Sequence, residues 1–180
     1  MQFLEKTKKS IFSLIILVLL VLSFFVFKFA LEKEKIYSPK INNNQINTDF
    51  EVTDLIEEKK INFNQILVGK NFYLINIWSS WCEPCKDESE YLLELKNNTP
   101  IMMIGINYKD KKKNALNFLK LYGDPFEQIF VDKQGLISIN FGAYGVPETF
   151  LINEENKVLK KYIGPLNDED VYEIKNITNN

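Results

Sequence analysis

The stretch Trp78-Ser79-Ser80-Trp81-Cys82-Glu83-Pro84-Cys85-Lys86 constrains this chain most, because it carries both cysteines of the 180-residue sequence. Residues 73–78 directly before it are apolar, short in run, and rich in aromatic and β-branched side chains. That pattern predicts a buried strand. Residues 86–95 set Leu92, Leu93 and Leu95 among Glu and Lys, which predicts a helix. Cys82 therefore falls between a strand end and a helix start. Backbone N–H groups and the helix dipole favour a thiolate at such a position. Cys85, one turn further on, is close enough to close a small disulfide and release whatever Cys82 has attacked.

Other uses of two cysteines fit less well. A structural zinc site needs four Cys or His ligands, and the chain has two Cys and no His, so no metal is expected. A purely structural disulfide across so small a loop adds little through loop entropy. Two inert buried thiols leave the strand–Trp–Cys–x–x–Cys–helix context unexplained. The expectation is a redox-active Cys82–Cys85 dithiol that needs no other cofactor.

The net charge of −2 gives no footprint for nucleic acid. The N-terminus is different. Lys6, Lys8 and Lys9 precede residues 11–27, a run of 17 residues without a charge. At 1.5 Å per residue this reaches roughly 25 Å, the short end for a bilayer helix. Phe29-Ala30-Leu31 extends it once Lys28 snorkels. The basic flank predicts that residues 1–10 stay cytoplasmic and that residues 11–31 anchor the chain. A cleaved signal peptide is the competing reading, but the run is long and no small-x-small site follows it. Residues 32–48, with alternating Glu and Lys and then Asn42-Asn43-Asn44-Gln45, read as a linker with nothing to bury.

From residue 49 a folded domain is expected, running to residue 180. Residues 50–55 alternate as an edge strand, and 62–68 suggest a short helix stopped by Gly69. Residues 101–107 are a second continuous apolar run, as in a central parallel strand. Ala115, Leu116, Phe118, Leu119 and Tyr122 give a helix ended by Gly123-Asp124-Pro125. Residues 128–131 suggest a strand and 136–141 a helix. Residues 148–152 and 158–163 form two more strands, and 168–177 a closing helix capped by Asn167 or Asp168. The fold class is α/β: a mixed sheet with helices on both faces, preceded by one transmembrane helix.

Gly145-Val146-Pro147-Glu148-Thr149-Phe150 opens one of those strands. Proline cannot donate to a sheet, so it belongs at a strand's first residue or edge. An X–Pro bond here can be cis. The Val146 backbone would then face outward, able to pair with an extended substrate beside the disulfide.

Trp-Cys-x-Pro-Cys after a hydrophobic strand, with Val-Pro-x-Thr some 65 residues later, resembles the thioredoxin superfamily. Gly105-Ile106-Asn107-Tyr108-Lys109-Asp110 and Tyr144-Gly145-Val146-Pro147-Glu148-Thr149-Phe150 make the chain similar to the membrane-anchored CcmG/DsbE proteins of cytochrome c maturation. The likeness spans roughly residues 38–177 plus the anchor. It implies a thioredoxin-like three-layer sandwich, a cis Pro147 packed on the dithiol, and a periplasmic domain held at the inner membrane by a single pass. It also implies a reductant fed by a transmembrane thiol reductase. The clients would be the Cys-x-x-Cys-His motif of apocytochrome c or a maturation protein that carries it. Glu88 matches an acidic position near the family's active site, and Glu148 follows the proline. Many relatives have Ala where Val146 stands.

Cys82 is the expected nucleophile and the more exposed thiol, with Cys85 resolving. Trp81, Glu83, Pro84 and Glu88 are the expected tuning residues. Val146, Pro147 and Glu148 are the expected substrate-binding residues. Glu83 beside Cys82 disfavours a second negative charge. That predicts a reducing couple, nearer ~−220 mV than the ~−120 mV of strong oxidants. Glu88 and Glu148 are candidates for the general base at Cys85 or for partner recognition. The alternatives are a general extracytoplasmic reductase or oxidase, and a non-catalytic anchored module that holds clients. A peroxidase would use an isolated, Thr-flanked Cys in place of a dithiol.

Overall fold

A computed structural model describes residues 2–32 and 45–179. Two compact units divide the chain between Pro39 and Lys40. The first contains helix α1 (Gln2–Glu32). Its segment Ile11–Lys28 is long and apolar enough to cross a membrane, and none of those residues is buried in protein. A soluble core helix would bury such a run. Residues 33–44, most of the expected linker, lie outside the described residues.

The second unit is built on a seven-stranded sheet. In chain order its elements are β1 (Glu51–Asp54), β2 (Lys60–Asn62), β3 (Phe72–Trp78), α2 (Glu83–Asp87), α3 (Ser89–Asn98), β4 (Met102–Tyr108), α4 (Lys112–Tyr122), β5 (Gln128–Asp132), α5 (Leu136–Asn140), β6 (Glu148–Asn153), β7 (Val158–Ile163) and α6 (Asp168–Thr178). The strand order is β2-β1-β5-β4-β3-β6-β7. The β3–β4 and β4–β5 pairs are parallel, and the remaining pairs are antiparallel. This is the expected mixed sheet.

Alternation along β3 divides the core. Leu74 and Trp78 join a cluster with Leu92 and Leu95 of α3, Phe118 of α4, and Val171 and Ile174 of α6. Tyr73, Ile75 and Ile77 point the other way, into a cluster with Phe63, Phe141 and Phe150. Successive side chains of a strand take opposite faces, so a strand buried on both must be apolar throughout. β3 meets this demand except at Asn76, which is buried and polar. Gly105 of β4 is fixed by packing: a Cβ there would meet Trp78 Nε1 at 2.9 Å and the Phe126 ring at 3.0 Å.

Several expectations are corrected. Residues 50–55 are not an edge strand. β1 pairs with β2 on one side and β5 on the other, so β2 holds the edge. The expected helix over 62–68 is a strand end followed by a 3-10 turn, Phe63–Gln65, because the Asn62 side chain caps Asn64 N–H. The helix after the cysteines is two helices, α2 and α3, divided at Glu88. The Ser89 hydroxyl donates to the Cys85 carbonyl at 3.0 Å, a local side-chain bond that bends helices. The domain also recruits the end of the expected linker. Gln45 bridges to Lys157, Ile46 N–H bonds the Asn156 carbonyl, and Ile46 is buried among the core residues. At α6, Asn167 rather than Asp168 is the cap, in a capping box with Asp170.

Candidate active site

Cys82 is the N-cap of α2. Its Sγ accepts from Cys85 N–H at 3.2 Å, and the two sulfurs form a disulfide with Cα atoms 5.3 Å apart. The proline at the start of α2 is Pro84, tolerated there because the first turn has no intrahelical acceptor for its missing N–H. Cys82 is not markedly the more exposed thiol in this oxidised form: the two residues are 4% and 2% exposed. Trp81 beside them is 59% exposed.

The register brings the second segment to the same end of the sheet. Ile77 of β3 pairs with Glu148 of β6 in an antiparallel register, so one residue forward along β3 and one residue back from β6 Trp78 and Pro147 stand together. The Val146–Pro147 bond is cis. Val146 is half-buried and packs on the cluster that contains both cysteines. Among the described residues, no backbone hydrogen bond takes up its N–H or carbonyl.

Each glutamate occupies a distinct setting. Glu83 projects into solvent and pairs with Lys86 one turn on. That neutralises the charge locally and weakens the expected repulsion against a Cys82 thiolate. Glu88 and Glu148 are not surface carboxylates: both are buried. Glu88 accepts from Asn76 Nδ2 at 2.9 Å and from Leu166 N–H at 3.2 Å. Asn76 Nδ2 also reaches Thr149 Oγ1 at 2.9 Å, linking Glu88 to β6. Burial raises the Glu88 carboxyl from its ordinary 4.5 to about 7, against the lowering by these two hydrogen bonds. A cavity of about 10 Å³, the size of one water, is lined by Asn76, Trp78, Cys85 and Glu88. Glu148 is buried. Its Oε1 accepts from Tyr144 N–H at 2.7 Å and Gly145 N–H at 3.0 Å.

Two further residues hold this region and were not singled out from the sequence. Asp110 accepts from Ser80 N–H at 2.7 Å and Ser80 Oγ at 2.9 Å, and also from Asn107 and Lys111. Partial burial pushes its carboxyl up, but these bonds outweigh that and hold it below its ordinary value. Trp81 Nε1 donates to the neighbouring Lys109 carbonyl at 3.2 Å. The loop after β4 thus grips the two residues before Cys82. Asp110 lay within the Asn107–Asp110 motif, which was its only signal. Lys161, which pairs with Glu148, gave none, because lysines on a β-strand read as solvent-facing.

The Redoxin family model matches residues 42–178. The chain is 33% identical to the thiol:disulfide interchange protein DsbE of Allochromatium vinosum, over 76% of this chain and 74% of that one. It is 41% identical to the thiol:disulfide interchange protein CycY of Rhizobium leguminosarum bv. viciae, over 51% of this chain and 50% of the relative, so the match spans about half of that protein. Among solved structures, MTB dsbF superposes with a TM-score of 0.62 at 17% identity, over 72% of this chain and 95% of that one. That likeness establishes the thioredoxin-like fold. On the family match and the DsbE relative together, this chain belongs to the Redoxin family, among the DsbE-type thiol:disulfide interchange proteins.

Proposed function

We propose that this protein is a membrane-anchored thiol:disulfide oxidoreductase that donates electrons in cytochrome c maturation. The observation that carries the reading is the Cys82–Cys85 disulfide at a helix N-terminus, in one cluster with half-buried Val146, whose N–H and carbonyl no backbone hydrogen bond takes up among the described residues. The redox group is the dithiol itself. In the reduced protein the Cys82 thiolate attacks a client disulfide and expels one client sulfur as a thiolate. The Cys85 thiol then gives its proton to Glu88 through the small cavity between them and attacks Cys82 Sγ. The second client sulfur leaves as a thiolate, so the client has gained two electrons, and its two thiolates take up one proton returned by Glu88 and one from solvent. A carboxyl with its pKa near 7 is matched to accept and return a proton at neutral pH.

Val146 N–H and carbonyl would pair with the extended client, as edge-strand recognition requires. The client class is the oxidised Cys-x-x-Cys-His segment of apocytochrome c, or a maturation protein carrying it. The electron donor is a transmembrane thiol reductase. Residues 11–28 hold the domain at the inner membrane, with the periplasm as its compartment. Support for these finer assignments is the DsbE relationship and the single apolar helix.

The test is capture. A Cys85→Ser chain leaves the mixed disulfide at Cys82 unresolved, so it should accumulate client adducts that reducing agent releases, apocytochrome c among them. Adducts with neither a c-type apocytochrome nor a cytochrome maturation protein among them would refute the maturation role. No adducts at all would refute the exchange activity.

A further inference from the structure

A basic residue outside the cysteine motif, Lys161, pairs with Glu148 beside the Val146–Pro147 segment. Glu148 is 2% exposed, yet its Oε1 accepts from the Tyr144 and Gly145 N–H groups just before Val146. A buried carboxylate keeps its charge only when it is compensated. Lys161 of β7 supplies this, its Nζ 2.7 Å from Glu148 Oε2 with 12% of the side chain exposed. The contact is an ion pair rather than an aligned hydrogen bond. The directed bond from Nζ goes instead to the Gly142 carbonyl, at 2.8 Å. The same ammonium lies 4.6 Å from the centre of the Tyr144 ring and 5.2 Å from that of Phe150. Pro147 is tied at its other side, where its carbonyl accepts from Gly164 N–H just after β7. One cation therefore contacts the loop at Gly142, at Tyr144 and, through Glu148, at Gly145.

We propose that Lys161 is a positioning residue for client binding. Through Glu148 it fixes the backbone of residues 142–146, so that Val146 presents its N–H and carbonyl to an extended client. Lys161 touches neither the sulfurs nor the client. The idea rests on the oxidoreductase reading, and its tests separate the two.

The first test needs no client. In the full chain in detergent micelles, the Tyr144 and Gly145 amides should exchange slowly with deuterium, and Lys161→Met should speed them at least tenfold. Amides of β3 should keep their protection. Lys161→Arg, which retains a cation, should restore slow exchange at 144 and 145. Unchanged exchange in Lys161→Met overturns the proposal, as does failure of the Arg variant to restore it.

The second test is single turnover of the reduced full chain with a synthetic peptide carrying a Cys-x-x-Cys disulfide. Lys161→Met should raise the half-saturating peptide concentration about tenfold and leave the limiting rate within about twofold, the pattern of lost binding rather than lost chemistry. Its equilibrium with glutathione should stay within twofold of the wild type. A fall in limiting rate with unchanged half-saturation would overturn the positioning role. A wild-type chain inert towards the peptide would instead count against the activity, while amide exchange still decides the role of Lys161.

Discussion

At the scale of single residues, burial decides what each carboxylate does. Glu83, Glu88 and Glu148 look equivalent in the sequence, and only their neighbours distinguish them. Glu83 is solvated and paired with Lys86. Glu148 holds backbone N–H groups, and Glu88 sits behind Cys85 with its pKa raised from 4.5 to about 7. The folded state therefore binds a proton at Glu88 more tightly than the unfolded chain does. The stability this provides is complete below about pH 4.5 and is lost as the pH rises through about 7, amounting to about 3 kcal/mol in total. Glu88→Gln should flatten that decline. The check is denaturant unfolding of oxidised protein from pH 5 to 8: wild-type stability falls with pH, and the variant's falls markedly less. Equal slopes would mean that Glu88 does not titrate in this range. The sequence marked Glu88 through its position after Cys85. It could not reveal the burial, because that depends on Asn76, Thr149 and Leu166, which lie on three other segments.

At the scale of elements, the continuous apolar strands and the capped helices were readable because their periodicity is local. β3, β4, α4 and α6 fall close to their expected places. What failed depended either on partners far along the chain or on single polar side chains that the periodicity does not register. β1 has two neighbours only because β5, some 75 residues later, adds antiparallel to it. At the break at Glu88 the Ser89 hydroxyl bonds back to the Cys85 carbonyl, against a pattern of leucines that runs straight through. The loop after β4 is the clearest case of an element made functional by long-range contact. Asp110 gathers four hydrogen bonds and ties this loop to Ser80, two residues before Cys82. Asp110→Asn turns an acceptor into a donor and leaves some of these groups unpaired. Hydrogen bonds to a charged group are each worth about 1.5–3 kcal/mol. The variant should lose about 2 kcal/mol of stability, read as a lower denaturant midpoint, and exchange with client disulfides more slowly. An unchanged midpoint would mean that the loop is held by packing instead.

At the scale of the whole molecule, the chain combines an apolar helix with a thioredoxin-like domain whose chemistry gathers at one end of the sheet. The β3–β6 register sets the cysteine segment and the Val146–Pro147 segment side by side. Lys86 offsets Glu83, and the structure adds burial, with Cys82 4% exposed and Glu88 lining the same small cavity as Cys85. Burial disfavours the thiolate and so disfavours the reduced form that a strong oxidant must stabilise. The equilibrium potential of Cys82–Cys85 in the full chain tests this most directly, measured first against glutathione and then against a thioredoxin couple. An electron-donating pair should show a value well below about −180 mV and stay largely oxidised in glutathione buffers. A value near about −120 mV would describe an oxidant and contradict an electron-donating role.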